Sequence, residues 1–380
     1  MGGHLAGRGR RRVDRALSHW FALPALASSV YQALGILAAR IPRAKSSATP
    51  AVSILKPVRG HDAGFAAAIL SHARQDYPEF EILFGVRSES DSAMPAIREL
   101  MEQYANVRLI MCDGEAPNGK VAVLTQLERE ARFPILLVND SDILVEPDYL
   151  RNTASLLADP SIGLVTCLYR AVGESLPAAF EALGISTDFA EGVLVARLLG
   201  DSGFALGSTM AFRASDLSRI GGFAAIDHYL ADDFQLGLRI RKLGLRIALA
   251  PVVVETHLGA GTWREVWKHQ IRWARTIRAS RPGGYCGMIA TQTTFWALFA
   301  AACGEWPAFL IAIALRLCAA WRTGWSVLRD PEVPRRFWLL PVRDLFGTLV
   351  WLTGLLGTTV EWRGERLKLT RDGLIHKVGS

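Results

Sequence analysis

The run Ile135-Leu136-Leu137-Val138-Asn139-Asp140-Ser141-Asp142 is an apolar stretch that stops abruptly at two carboxylates separated by one serine. In an open α/β sheet, ligands gather beyond the carboxyl ends of the strands, so Asp140 and Asp142 stand where a ligand is expected. Carboxylates this close repel one another unless a cation lies between them. Hard divalent ions such as Mg2+ or Mn2+ take oxygen ligands from protein together with substrate phosphates, so the chemistry implied is a metal-diphosphate site. An aspartate at a strand end also starts a turn or caps the next helix, and the pair alone leaves both roles open.

A second acidic pair lies in Tyr229-Leu230-Ala231-Asp232-Asp233-Phe234-Gln235-Leu236-Gly237, at the start of a helix running to Leu243. There a carboxylate serves as a cap favoured by the helix dipole, or as a general base ionised at neutral pH. A third constellation is Trp263 to Arg278, a basic segment with Trp263, Trp267, Ile271 and Ala274 on one helical face, suited to lie at a membrane surface. Within it Arg272 beside Trp273 can aim a guanidinium at phosphate oxygens. Lys56-Pro57-Val58-Arg59-Gly60 has the composition of a turn that cradles a nucleotide, and Lys120 in Asn118-Gly119-Lys120 can reach a phosphate. No GxxxxGK[ST] is present, and no GxGxxG follows a strand, which argues against P-loop and dinucleotide-binding sites. His257 and His269 lack a second His or Cys at ligand spacing and read as packed or interfacial side chains.

These residues need a scaffold. Between Pro50 and Glu255, compact apolar runs at 52–57, 81–86, 108–111, 135–139, 163–168 and 247–255 alternate with helical stretches at 64–74, 94–104, 120–131 and 148–157. The βαβα alternation predicts an α/β domain with a parallel sheet. Apolar blocks flank it: residues 20–39 without a charge, then 286–303, 307–321 and 337–360. The first is long enough to span a bilayer, and Arg40-Ile41-Pro42-Arg43 after it is no cleavage site. The middle one of the last three is short and carries Arg316, and the last carries Arg343 and Asp344, so an interfacial or re-entrant helix fits either as well as a full span. Tryptophans concentrate after position 262, as at membrane interfaces. The whole chain agrees: 380 residues, 50% hydrophobic and 21% charged, with mean hydropathy +0.20. Its net charge of +7 suits phospholipid headgroups or a nucleotide phosphate, and equally the flanks of membrane segments. Five cysteines without a CxxC pair indicate neither zinc nor a disulfide framework.

In order, Asp140-x-Asp142, the pair Asp232-Asp233 and Arg272-Trp273 before apolar helices resemble the membrane-bound family 2-type glycosyltransferases, and most closely ceramide glucosyltransferases and bacterial hopanoid-biosynthesis glycosyltransferases. The likeness runs from Val52 to about Tyr285 and includes Ser53 to Gly60, Gln75-Asp76-Tyr77-Pro78, Leu164 to Arg170 and Leu230 to Asp233. His269 to Arg278 with Arg281-Pro282-x-Gly284-Tyr285 is similar to the hopanoid branch.

The resemblance implies a GT-A-like nucleotide-sugar-binding domain with a central, mostly parallel sheet, plus transmembrane helices. It implies that Asp140 and Asp142 bind a UDP-sugar through a divalent metal, Mg2+ or Mn2+, and that Asp233 is the general base. Asp232 would lie near the donor, Arg272 and Trp273 would complete the donor pocket, and Lys120 with Lys56, Pro57, Arg59 and Gly60 would flank the nucleotide. Two positions depart from the family: His269 stands where it has Gln or Arg, and Ser88 where it has a uracil-side aspartate, leaving Glu89 or Asp91 for that role. A single base without a nucleophile implies inversion. The acceptor implied is a lipid hydroxyl, hopanoid or ceramide, arriving from the bilayer along the Trp263 to Arg278 segment; nucleic acid is not an expected partner.

The expected organisation is a basic tail (1–15), a transmembrane anchor (16–40), the glycosyltransferase domain (50–260), an interfacial helix (262–283), membrane helices (286–360) and a polar tail (361–380). Five arginines precede Trp20 against three basic residues after Ala39, which by the positive-inside rule places the domain outside. Activated sugars are cytosolic, so the expectation is a multi-pass protein of a bacterial-type inner membrane with its domain facing the cytosol. A processive polysaccharide synthase would share these motifs but needs a channel of several spanning helices. A non-catalytic lipid-binding scaffold would not need the carboxylates.

Overall fold

The apolar runs of the central region become strands of one eight-stranded sheet. The structure, a computed structural model, describes residues 19–41, 46–114, 116–201 and 203–378; the basic tail and most of the arginine-rich flanks of the first apolar block lie outside them. The described residues divide into two units, those within 41–182, 200–280 and 357–380 and those within 1–40, 183–199 and 281–356.

In the first unit the strands are β1 (Val52–Pro57), β2 (Phe80–Val86), β3 (Val107–Met111), β4 (Ile135–Val138), β5 (Ile143–Leu144), β6 (Ile162–Val172), β7 (Met210–Arg213) and β8 (Arg246–His257), in the order β3-β2-β1-β4-β7-β6-β8-β5. β1 to β4 pair in parallel, with Val52 opposite Ile135 and Leu55 opposite Val138. The sheet departs from the expected parallel pattern at β7, antiparallel to both β4 and β6, and at β5, antiparallel on β8. These strands have four and two residues, too few to show a period.

Both faces of β4 are covered, which is why it reads as an unbroken apolar run. Ile135 and Leu137 join Phe65, Ile69, Ile97 and Tyr149 on one side, while Leu136 and Val138 join Leu124, Leu127, Phe212 and Phe223 on the other. Each such side chain contributes roughly 1.5–3 kcal/mol by leaving water, so the end of β4 is held by packing from two directions.

Residues 359–377, expected as the end of a membrane helix and a polar tail, instead form an antiparallel sheet of β9 (Thr359–Trp362), β10 (Glu365–Leu369) and β11 (Ile375–Lys377) in the order β11-β10-β9. Val360, Leu367, Leu369 and Ile375 alternate inward onto Leu230.

Among the described residues of the second unit, two helices are long and apolar enough to cross a membrane, Trp20–Ala38 and Trp306–Val327. The block expected at 286–303 is broken: a short helix Pro282–Gly287 and a 3-10 turn precede Thr293–Ala302, which is too short to span. The segment expected to be short is the long one, because Trp306–Ala320 continues through a π-helical stretch to Val327. Its Arg316 is buried but neutralised: Nε and Nη2 donate to Asp344 at 2.9 and 2.7 Å, and Nη1 to Glu191 at 3.2 Å and the Thr187 carbonyl at 2.8 Å. Ala25, Ala297, Ala300, Ala308 and Ala312 let these helices approach closely.

Candidate active site

β4 ends at Val138, and the next residue, Asn139, is fully buried. Its buried amide donates to His72 Nε2 at 2.7 Å and contacts the Tyr149 hydroxyl at 3.4 Å. His72 Nδ1 then donates to the Ala68 carbonyl at 2.9 Å, which fixes the neutral tautomer, and burial followed by the charge of Lys56 pushes its pKa well below the ordinary value. Asp140 and Asp142 follow directly, projected from a rigid anchor.

Lys56, at the end of β1, is fully buried beneath them and donates to the Asp140 carbonyl at 3.2 Å. Burial pulls its ammonium down to about 7 against the pull of Asp142 and Asp140. It therefore supports the strand end from below, whereas Pro57 is half-buried and Arg59 exposed. Gly60, with φ +79°, donates its N–H to both oxygens of Asp91 at 3.0 Å. Asp91 also accepts from Ala93 N, so its carboxylate holds a turn and a helix start, and of the two candidates for base recognition Glu89 is the exposed one.

Lys120 rises from the first turn of the helix Gly119–Glu130. Asn118 caps that helix by accepting from Lys120 N and Val121 N, and its Nδ2 donates to the Tyr229 carbonyl at 2.8 Å. The loop leading to the second acidic pair is thus tied to the helix carrying Lys120. Lys120 Nζ lies 2.8 Å from Asp140 Oδ1 and 3.2 Å from Asp232 Oδ2. Burial lowers its pKa, but Asp140 and Asp232 outweigh burial and hold it above the ordinary lysine value.

Asp232 opens the helix Asp232–Lys242, with Ala231 at the N-cap, so neither aspartate is the capping residue. Asp233 Oδ1 accepts from Phe234 N at 2.7 Å and Oδ2 from Gly207 N at 3.1 Å. Burial and then the charge of Asp232 raise its carboxyl to about 6. Gly207 is held by its neighbours: Thr166 of β6 accepts from Leu206 N at 3.0 Å, and Ser208 donates to the Cys167 carbonyl at 3.2 Å. A Cβ at Gly207 would stand 3.5 Å from Asp233 Oδ2 and 3.6 Å from Asp140 Oδ2, so this glycine borders the gap between the two acidic motifs.

Asp142 accepts from Thr256 Oγ1 of β8 at 2.6 Å, and burial together with the charge of Asp140 raises its pKa. Tyr169, near the end of β6, has its phenol held above its ordinary pKa by burial and by Asp233, Asp140, Glu181 and Asp142. Gly207, Asn118 and Tyr169 are site residues that motif reasoning did not assign.

The helix Trp263–Ser280 buries Val266, Gln270, Ile271 and Ala274, while Trp263 is 49% exposed, so the inward stripe is rotated from the expected Trp263/Trp267/Ile271/Ala274 face. Buried Glu181 organises its middle: Oε1 contacts His269 Nδ1 at 2.6 Å and accepts from Gln270 Nε2 at 2.7 Å, and the His269 ring meets Trp273 edge-on at 4.7 Å between centroids. Burial lowers the pKa of Arg272, opposed by the charges of Asp140 and Glu181 and more weakly of Asp233. Its guanidinium thus lies in the field of both acidic motifs.

No group of three or more His, Cys, Asp or Glu side chains converges on one point among the described residues. The side chains that could hold a metal are therefore two carboxylates, Asp140 with a side chain 48% exposed and Asp142, whose charge burial and then Asp140 disfavour. Oxygen donors in mutual repulsion, leaving most of the coordination sphere to phosphate and water, fit a hard divalent ion.

The profile of "Glycosyl transferase family 21" matches residues 20–375. The chain is 24% identical over 352 residues to ceramide glucosyltransferase 1 of Caenorhabditis elegans, covering 86% of this chain and 73% of that protein. It is 28% identical over 211 residues to ceramide glucosyltransferase 3 of the same organism, covering 54% and 46%. With a beta-monoglucosyldiacylglycerol synthase of Trichormus variabilis it shares 25% over 266 residues, covering 67% and 53%, so the match spans about half the length of these last two relatives. Among solved structures, mannosyltransferase PcManGT of Pyrobaculum calidifontis, in complex with GDP-Man and Mn2+, has the same fold, with a TM-score of 0.51 at 21% identity over 88% of this chain and 99% of that one.

Proposed function

This chain belongs to glycosyl transferase family 21, and from that premise we propose that it moves a hexosyl group, glucose or N-acetylglucosamine, from a UDP-sugar to a membrane-lipid hydroxyl with inversion at the anomeric carbon. The observation that carries the reading is Lys120, whose ammonium contacts Asp140 and Asp232 together and so joins the two acidic motifs in one cleft at the strand ends.

In this reading Asp140 and Asp142 hold a divalent ion, Mg2+ or Mn2+, which when bound offsets charge on the departing diphosphate. Lys120 and Arg272 supply positive charge on the same side. Asp233, fixed by the Gly207 and Phe234 amides, takes the proton of the acceptor hydroxyl on Oδ2 or Oδ1. Gly207 leaves open the space where the sugar would lie.

A lipid acceptor is supported by relatives named for ceramide and diacylglycerol and by two helices long enough to cross a membrane. Hopanoid as acceptor rests on the sequence resemblance, as do UDP as carrier and a cytosol-facing domain in the inner membrane. Release of UDP from UDP-glucose or UDP-N-acetylglucosamine by purified protein, with and without lipid extract, tests the reading. Lipid-dependent release is expected; no release from any nucleotide sugar would leave a lipid-binding scaffold, and a long polymer product a processive synthase.

A further inference from the structure

The turn between β9 and β10 is a tight one, with Arg363 at φ 50° and Gly364 at φ +82°, the left-handed pair of a two-residue hairpin. Arginine is an unfavourable choice for a left-handed position. Its side chain goes to one place: Nη1 and Nη2 donate to Asp62 Oδ1 and Oδ2 at 3.1 and 3.0 Å, and Nη1 also donates to the Arg59 carbonyl at 3.2 Å. Asp62 Oδ2 in turn accepts from the hydroxyl of Ser141, the residue between Asp140 and Asp142, at 3.3 Å. A single residue, Asp62, thus links the hairpin tip to the first acidic motif.

Electrostatics agree with the contacts. Burial opposes the charge of Arg363, but Asp62 and then Asp140 and Asp142 favour it and prevail, and Arg272 feels Arg363 as a like charge. The Arg363 side chain remains 40% exposed, so it is reachable from solvent as well as close.

The sheet behind the tip is fastened to the two segments that carry the other site residues. Ile375 N donates to the His228 carbonyl at 2.9 Å, and Tyr229 bridges to Leu374, just before Asp232 and Asp233. On the helix of Arg272, Arg275 and Arg278 donate to the carbonyls of Thr359 and Gly357, and Lys268 pairs with Glu361. A sheet that served only to cover Leu230 would not need its tip to reach the Lys56–Gly60 turn.

We propose that Arg363 is a diphosphate-binding residue of the donor site, resting on Asp62 in the ligand-free enzyme and exchanging that carboxylate for phosphate oxygens when a nucleoside diphosphate binds. A planar fork already paired with a carboxylate matches phosphate with the same two donors, so the exchange preserves its hydrogen bonds. This rests on the nucleotide-sugar reading above.

The test is equilibrium binding of UDP and of uridine to the full-length protein, with divalent ion present throughout, for the parent, Arg363→Ala, Arg363→Gln and Asp62→Asn. Arg363→Ala is expected to weaken UDP by about tenfold or more while leaving uridine within roughly twofold. Arg363→Gln, which keeps length and a donor, should fall between if Arg363→Ala is poorly folded by thermal unfolding. Asp62→Asn, which loosens the resting grip, should hold UDP as tightly as the parent or more tightly. Equal losses for UDP and uridine in the arginine variants, or no loss for UDP while the parent binds it, would overturn the assignment. A parent that binds neither ligand would remove the donor reading itself along with this one.

Discussion

Lys120 pairs with Asp140 at 2.8 Å from the first turn of a helix that starts at Gly119, so the carboxylate at the end of β4 meets a cation before any ligand arrives. The same ammonium stands 3.2 Å from Asp232, and it is the shared counter-charge for two motifs far apart in the chain. Lys120→Met should leave two carboxylates facing each other without it. We expect donor affinity to fall by on the order of tenfold to a hundredfold, with Lys120→Arg recovering part of it. Donor titration of both variants checks this.

Gly207→Ala would add a methyl 3.5 and 3.6 Å from Asp233 and Asp140, an ordinary contact distance that the fold can accept. The melting temperature should therefore change little. The methyl enters the space between the acidic motifs, and kcat should fall by about tenfold or more because reacting groups tolerate little displacement. Steady-state kinetics beside thermal unfolding separate the two effects.

Asp233 is raised to about 6 from an ordinary value of 3.8 by burial and by Asp232. A base must be deprotonated, so kcat/KM should fall on the acid side of about 6 and level off above it. For stability the sign is opposite. A carboxyl whose folded pKa is raised binds more protons folded than unfolded between 3.8 and about 6, so its contribution to stability declines as pH rises through that window. At pH above about 7, Asp233→Asn removes the buried charge but turns one of the two amide-accepting oxygens into a donor, so its melting temperature should change little, while its turnover drops by roughly 10²–10⁴-fold. A pH–rate profile and paired melting curves read both.

Removing divalent ions with excess EDTA should abolish transfer, and Mn2+ or Mg2+ should restore it. Asp142→Asn should weaken UDP more in the presence of the ion than in its absence, since the carboxylate acts through the ion. Unchanged turnover in EDTA would remove the metal from the account.

The first four strands of the main sheet and both acidic motifs are legible in the sequence for a local reason. A strand buried on both faces is an unbroken apolar run, and Asp140 and Asp232 each sit at the boundary of an element. β7 and β5 leave no such trace, because four and two residues owe their pairing to neighbours far along the chain. Gly207 and Tyr169 join the site through contacts that only the folded sheet creates. Arg316 argued against a long helix because its partners, Asp344 and Glu191, are distant in sequence. The alternation of Val360, Leu367 and Leu369 was obscured by the apolar segment that runs directly into it, and Arg363 was obscured with it.

The most direct measurement is transfer itself: membranes containing the parent or Asp233→Asn, incubated with radiolabelled UDP-glucose or UDP-N-acetylglucosamine and with ceramide, diacylglycerol or hopanoid, then extracted into organic solvent. The account predicts label in a single glycolipid with the parent and a loss of roughly 10²–10⁴-fold with Asp233→Asn, although the variant still binds UDP. Label reaching lipid at the parent rate in a folded, UDP-binding Asp233→Asn protein, or no lipid-linked label from the parent with either donor, would contradict it.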